Sequence, residues 1–171
     1  MTGYTHVYTG NGKGKTTAAL GLAVRAAGAG MRVFLGQFVK GMKYSEVATL
    51  KRLADVITVR QFGRSCFIER KPDPEDIRLA QAGLAETRHI LASKDYQLVI
   101  LDEVTIANHY GLVSTDELLE LIDAKPEDVE LVITGRYADK RLCDRADLVT
   151  EMVEIKHYYE KGVLARKGID C

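Results

Sequence analysis

Val7-Tyr8-Thr9-Gly10-Asn11-Gly12-Lys13-Gly14-Lys15-Thr16-Thr17-Ala18-Ala19 decides the fold. A β-prone run enters a glycine-rich turn, and an alanine- and leucine-rich segment through Ala27 leaves it. Strand, turn and helix N-terminus in succession make a grip for polyphosphate, because backbone N–H groups converge on one anion at the positive end of a helix dipole. Lys15 adds a full charge for phosphate, and Thr16 offers a hydroxyl to a phosphate-bound Mg²⁺. The stretch departs once from G-x-x-x-x-G-K-[ST]: Thr9 stands where the pattern has its first glycine.

Working outward, 171 residues suit one ordinary domain with a single core, 1–171. Apolar residues make 46% and charged residues 28%, as in ordinary globular chains. Lys+Arg and Asp+Glu both number 24, so the net charge is zero. That balance argues against broad nucleic-acid or membrane-surface binding and leaves room for a local basic pocket. Cys66, Cys143 and Cys171 fit neither a disulfide framework nor metal-ligand spacing, and read as reduced thiols of a cytoplasmic protein. No stretch approaches the ~20 apolar residues of a membrane span, and the short run before Tyr4 leaves no room for a signal peptide.

Strands and helices alternate along the chain. Strands are predicted over Tyr4–Thr9, Met31–Phe38, Val56–Phe62, Leu98–Leu101, Val129–Thr134 and Leu148–Ile155. Helices are predicted over Lys15–Ala29, Tyr44–Leu53, Asp73–Ser93, Ser114–Ile122 and Asp139–Ala146, with Ser114 and Glu117 spaced as a capping box. Gly63–Pro74 reads as a loop and Lys156–Cys171 as irregular. The fold class is therefore α/β: a parallel sheet of the RecA-like P-loop kind, flanked by helices. Ligands of such sheets sit at the carboxyl ends of strands. The polar residues gather there: Gly10–Thr16, Gln37–Gly41, Gly63–Lys71, Asp102-Glu103 and Gly135-Arg136.

Asp102 and Glu103 close an apolar strand, the position from which acids hold Mg²⁺ or orient a nucleophile. Glu103 is either a general base or a metal ligand. Arg136 is placed to clamp phosphate as a planar fork, with Lys40 a weaker candidate. His109 and His157 are candidate pocket residues without the companions of a metal site. His6 reads as packed or at a sheet edge, and His89 as structural. The guanine-selective Asn-Lys-x-Asp run is absent, which favours ATP. The residues alone leave three readings open: a RecA-like ATPase, a small-molecule kinase, or an enzyme that uses another part of the nucleotide.

Taken together, Thr9–Ala19, Gln37-Phe-Val-Lys-Gly41, Leu101-Asp-Glu-Val-Thr105, Ile133-Thr-Gly-Arg136, Lys156-His157 and Gly168-Ile-Asp170 resemble the P-loop family of ATP:corrinoid adenosyltransferases, in the family's order. Thr9 in the loop's first position is that family's own form. The resemblance implies that a reduced Co(I) corrinoid attacks the 5′ carbon of ATP and the whole triphosphate leaves, in cobalamin synthesis or salvage. ATP would lie with its phosphate chain reversed along the loop. Thr9, Gly10, Asn11, Gly12, Lys13, Gly14, Lys15 and Thr17 would cradle the triphosphate, Thr16 and Glu103 would hold Mg²⁺ with Asp102 behind them, and Arg136 would reach ribose or phosphate. It further implies a homodimer and a flavoprotein-type reductant as partner. The family's Gly-Phe-x-Trp segment, which displaces the lower cobalt ligand, corresponds here to Gly63-Arg64-Ser65-Cys66-Phe67, and the chain has no Trp. Phe62 or Phe67 is the candidate for that role.

Overall fold

The structure is a computed structural model describing residues 2–42, 44–64 and 72–170. Among them six strands form one sheet: β1 (Thr5–Thr9), β2 (Val33–Phe38), β3 (Ile57–Phe62), β4 (Leu98–Asp102), β5 (Glu130–Thr134) and β6 (Leu148–Glu151). The spatial order is β3-β2-β4-β5-β1-β6 and every pairing is parallel. β5 therefore stands between the loop-bearing β1 and the acid-bearing β4, as in RecA-like sheets.

The helices are α1 (Lys15–Gly28), α2 (Ser45–Leu50), α3 (Pro74–Ser93), α4 (Val104–His109), α5 (Thr115–Asp123) and α6 (Lys140–Arg145), with 3-10 turns at Lys51–Leu53 and Tyr158–Lys161. They cover both faces of the sheet, which is why all residues of β2 and β4 are buried and both strands are mostly apolar, with Gln37 and Asp102 the polar residues near their carboxyl ends. Alternation sorts each strand between two layers. Val33, Leu35, Leu98, Ile100 and Val132 meet Ala19, Ala23 and Ala26 of α1 and Leu50 of α2. Phe34, Phe38, Val99, Leu101, Leu131 and Ile133 meet α3 to α6 through Leu84, Ala107, Leu118, Leu121 and Leu142.

The alanine face of α1 brings the helix close to the sheet, so its first turn stands directly over the strand ends. Long side chains fill the opposite layer, each contributing about 1.5–3 kcal/mol when fully buried.

Local signals hold the connecting helices in place. Asp73 caps α3 by accepting from the Glu75 and Asp76 amides, Asp76 returns the bond to the Asp73 amide, and Pro74 opens the helix. Ser114 and Glu117 form the expected capping box on α5.

Two features differ most from expectation. β6 ends at Glu151, four residues before Ile155, because Met152 turns onto the glycine loop. α4 occupies a stretch for which no element was expected. The end of the chain is irregular as expected, apart from its 3-10 turn, and folds back over the strand ends. Among the described residues no helix is long and apolar enough to cross a membrane.

Candidate active site

The cavity at the carboxyl ends of β1, β2, β4 and β5 has a volume of about 860 Å³. Its floor is the glycine loop. Gly14 sits at φ 126°, a left-handed-side conformation in which a side chain would be strained. No side chain caps α1, so the first-turn amides of Lys15, Thr16 and Thr17 remain available to an anion. Thr9 ends β1 with ordinary negative φ, opposite Glu151, which explains how a β-branched residue replaces the usual glycine. Its hydroxyl accepts weakly from the Ala138 amide at 3.4 Å.

The loop leans on β6. Gly12 donates to the Met152 carbonyl at 2.7 Å, and Met152 donates to the Thr9 carbonyl at 2.8 Å. A Cβ on Gly12 would come within 2.6 Å of the Met152 carbonyl oxygen, so this close approach requires glycine.

Lys15 Nζ donates to the Gly10 and Gly12 carbonyls, both at 2.7 Å. Burial lowers its pKa, outweighing the opposing charge of Glu103. Lys13 turns to the chain's end, donating to the Ile169 carbonyl at 2.8 Å and to Asp170 at 2.7 Å. Asp170 also accepts from the Tyr158 hydroxyl and from Arg166. These contacts, Lys13 first and Tyr158 second, push the Asp170 carboxyl far below its ordinary pKa. His157, Tyr158, Ile169 and Asp170 thereby become one wall of the cavity.

The opposite wall is polar. Asp102 Oδ1 accepts from Thr16 at 2.8 Å and from Thr134 at 2.7 Å, while Oδ2 accepts from Lys40 at 2.7 Å. Burial alone would lower the Lys40 pKa, but Asp102 and Glu103 overcome that and hold its ammonium above the ordinary value. Glu103 lies next along, at φ 60° as the left-handed N-cap of α4, which turns its side chain away from the strand direction. Its amide donates to Thr134 Oγ1 at 3.1 Å. Among the described residues nothing hydrogen-bonds its carboxylate, which lines the cavity. Burial first, and the Asp102 charge second, raise its pKa. A desolvated carboxylate beside a loop hydroxyl and a second acid is a donor set that fits a hard divalent cation completed by phosphate oxygens.

Arg136 follows Gly135, which is held at φ 136° beside Thr105, and donates to the Asn11 carbonyl at 3.3 Å. Thr105 donates to the Arg136 carbonyl at 2.7 Å. Tyr137 is forced into the left-handed region at φ 59° and stacks on His109, ring centroids 4.3 Å apart. Tyr110 and Tyr137 form an aromatic rim on the cavity, and His109, expected as a pocket residue, stands behind them in contact with both rings rather than in the lining.

The structure thus brings Lys13, Gly14, Lys15, Thr16, Thr17, Glu103 and Arg136 to one cavity, with Gly12. Thr9, Gly10, Asn11 and Asp102 stand behind that lining and hold it through the bonds above. Phe62, a candidate for contact with the corrin, does not line the cavity. Its ring is buried against Phe38, centroids 5.3 Å apart, and a Cβ on Gly83 of α3 would lie only 2.5 Å from it. Phe67 and Cys66 lie outside the described residues. Reading the sequence for motifs missed Tyr158, Tyr137 and Asp170 as wall residues. Asp170 stood in a matching segment and Tyr137 next to one, but no period or spacing ties either to the loop.

A family model described as ATP:corrinoid adenosyltransferase BtuR/CobO/CobP matches residues 1–171. The chain belongs to this family. A corrinoid adenosyltransferase of Pseudomonas aeruginosa is 37% identical over 165 residues, covering 96% of this chain and 81% of that protein. The corrinoid adenosyltransferase CobA of Salmonella typhimurium is 35% identical over 164 residues, covering 96% and 83%. One from Sinorhizobium is 32% identical over 167 residues, covering 96% and 78%. Membership makes ATP and a corrinoid the substrates of this chain and sets aside the ATPase and kinase readings.

Proposed function

We propose that this corrinoid adenosyltransferase works by holding the triphosphate of ATP as a leaving group. The Co(I) of the reduced corrinoid donates an electron pair to the ribose 5′ carbon. The bond from that carbon to the 5′ oxygen breaks, and its electron pair departs with the triphosphate. No protein nucleophile is required. The loop amides and Lys15 stabilise the charge that grows on the departing oxygens, which is the largest effect a site of this kind offers. The observation that carries this reading is that Lys15 and the uncapped N-terminus of α1 face one cavity in a chain matching the adenosyltransferase family over its whole length.

Thr16, Glu103 and Asp102 are the residues to hold Mg²⁺, which would supply electrostatic stabilisation of the triphosphate. Arg136, tethered to the Asn11 carbonyl, is set to reach ribose or phosphate. Phe67 is the remaining aromatic candidate for displacing the lower cobalt ligand. We further place the enzyme in the cytoplasm, as a homodimer served by a flavoprotein-type reductant.

Incubation with ATP, Mg²⁺ and a chemically reduced corrinoid tests the reading. It predicts a light-sensitive adenosyl-corrinoid spectrum that requires both ATP and reductant. An unaltered Co(I) spectrum while ATP is consumed would contradict it.

A further inference from the structure

Lys40 stands just past β2 with its side chain 8% exposed. Its Nζ lies 2.7 Å from Asp102 Oδ2 and 3.4 Å from Thr16 Oγ1. Those are the loop hydroxyl and the strand-end carboxylate from which a phosphate-loop site reaches for a divalent cation. A positive charge is therefore already seated between them. The face of Tyr44 packs on the same ammonium, 5.4 Å from nitrogen to ring centroid. Asp102 is otherwise filled: Oδ1 accepts from Thr16 and Thr134, and Gln37 Nε2 is 3.5 Å from Oδ2.

Lys15, the loop lysine, is not in this position, since it bonds to the Gly10 and Gly12 carbonyls. Among the described residues no group of three or more His, Cys, Asp or Glu is gathered to hold a metal. Mg²⁺ wants about six oxygens, so the protein alone falls short and the ion must bring ligands with it.

We propose that Lys40 is a specificity-determining residue: its ammonium is the resident counter-charge of Asp102, and it keeps a bare divalent ion out of the site. Coulomb repulsion a few ångströms from a buried ammonium disfavours an ion that brings only water. A metal carrying a triphosphate arrives with surplus negative charge. The ammonium then turns from Asp102 to phosphate oxygens, and the metal takes its place beside Thr16 and Glu103. The site thereby accepts the metal–polyphosphate complex and rejects its cation alone. This rests on reading the loop cavity as the ATP site.

Mn²⁺ binding to the full-length protein, followed by water-proton relaxation, tests it, because relaxation is enhanced only when Mn²⁺ is fixed on the slowly tumbling protein. Wild type should give little enhancement with Mn²⁺ alone and strong enhancement once inorganic tripolyphosphate is added. Lys40→Met should bind Mn²⁺ alone at least tenfold more tightly than wild type, and Lys40→Arg, which keeps the charge, should not. Wild-type Mn²⁺ affinity that is equally high without tripolyphosphate would overturn the role of Lys40 and leave the ATP site standing. So would a folded Lys40→Met protein binding Mn²⁺ no better than wild type. No enhancement in wild type even with tripolyphosphate would overturn both. The wild-type measurements can overturn the role of Lys40 without any variant having to fold, and the contrast between Lys40→Met and Lys40→Arg assigns the exclusion to its charge.

Discussion

Two lysines are buried at the same cavity, Lys15 from the glycine loop and Lys40 from the end of β2, and they are neutralised differently. Lys15 rests on two carbonyls of its own loop. Lys40 is locked to Asp102, which is 1% exposed. A carbonyl is a partial charge and leaves an ammonium under-compensated, whereas a carboxylate cancels it. The difference separates a lysine held ready for an anion from a lysine that completes the resting protein. The setting of each, a glycine loop for Lys15 and the turn just past the buried strand β2 for Lys40, fits those two states.

The sharpest way to break this comparison is stability without nucleotide. Lys40→Met strands the buried Asp102 charge and should cost about 3–5 kcal/mol in urea unfolding at pH 7.5. Lys15→Met leaves only two carbonyls short of a donor and should cost about 1–3 kcal/mol. Equal losses would show that the two lysines are held alike. Activity should rank them from the other side. Lys15→Ala should lower the adenosylation rate by ~10²–10³, the usual effect of losing one strong donor to a leaving oxyanion. Turnover near wild type would remove Lys15 from the leaving group.

Much of this site was legible in the sequence, because its parts are local. Strand, glycine loop and helix from Thr5 to Gly28 follow from contiguous residues, as do the apolar run of β4 and the caps at Asp73 and Ser114. What was not legible depends on distant contacts or overridden propensity. α4 is Val-Thr-Ile-Ala-Asn-His, a stretch with three β-branched residues that becomes helical because Val104 and Ala107 pack into the core below it. Phe62 was a candidate, with Phe67, for the aromatic role at the lower cobalt ligand, yet Gly83 of α3 opens the space that takes its ring into the core. The pairing of Lys13 with Asp170 joins residues at opposite ends of the chain, which no periodicity reports.

Glu103 extends the comparison to a carboxylate with no direct hydrogen-bond partner among the described residues. Its pKa is raised by burial and by Asp102, so the fold favours its neutral form. Stability is therefore lost as pH rises through the unfolded value, near 4.3, towards the raised folded one. Metal-free Glu103→Gln should melt higher than wild type at pH 7.5 and show no advantage below about pH 4. A gain that persists at low pH would mean that charge is not its cause. The same shift predicts that wild-type activity fades on the acid side at a pH above that of an ordinary glutamate, as the carboxylate is protonated.

The smallest effect belongs to the chain's end. Lys13 is 41% exposed in its pair with Asp170, and exposed pairs are weak. Asp170→Asn should release Lys13 to the cavity and lower the KM for ATP by no more than about fivefold. A raised KM would show that the tail holds nucleotide rather than restraining the loop.

The central claim is that the loop holds a triphosphate that leaves whole. It is tested most directly by the phosphorus products of a reaction with ATP carrying ¹⁸O at its 5′ bridging position, read by ³¹P NMR. The account predicts one triphosphate per adenosyl-corrinoid, with ¹⁸O on its terminal phosphorus, because the carbon–oxygen bond breaks. ADP and inorganic phosphate, with ¹⁸O still on the nucleoside, would contradict it.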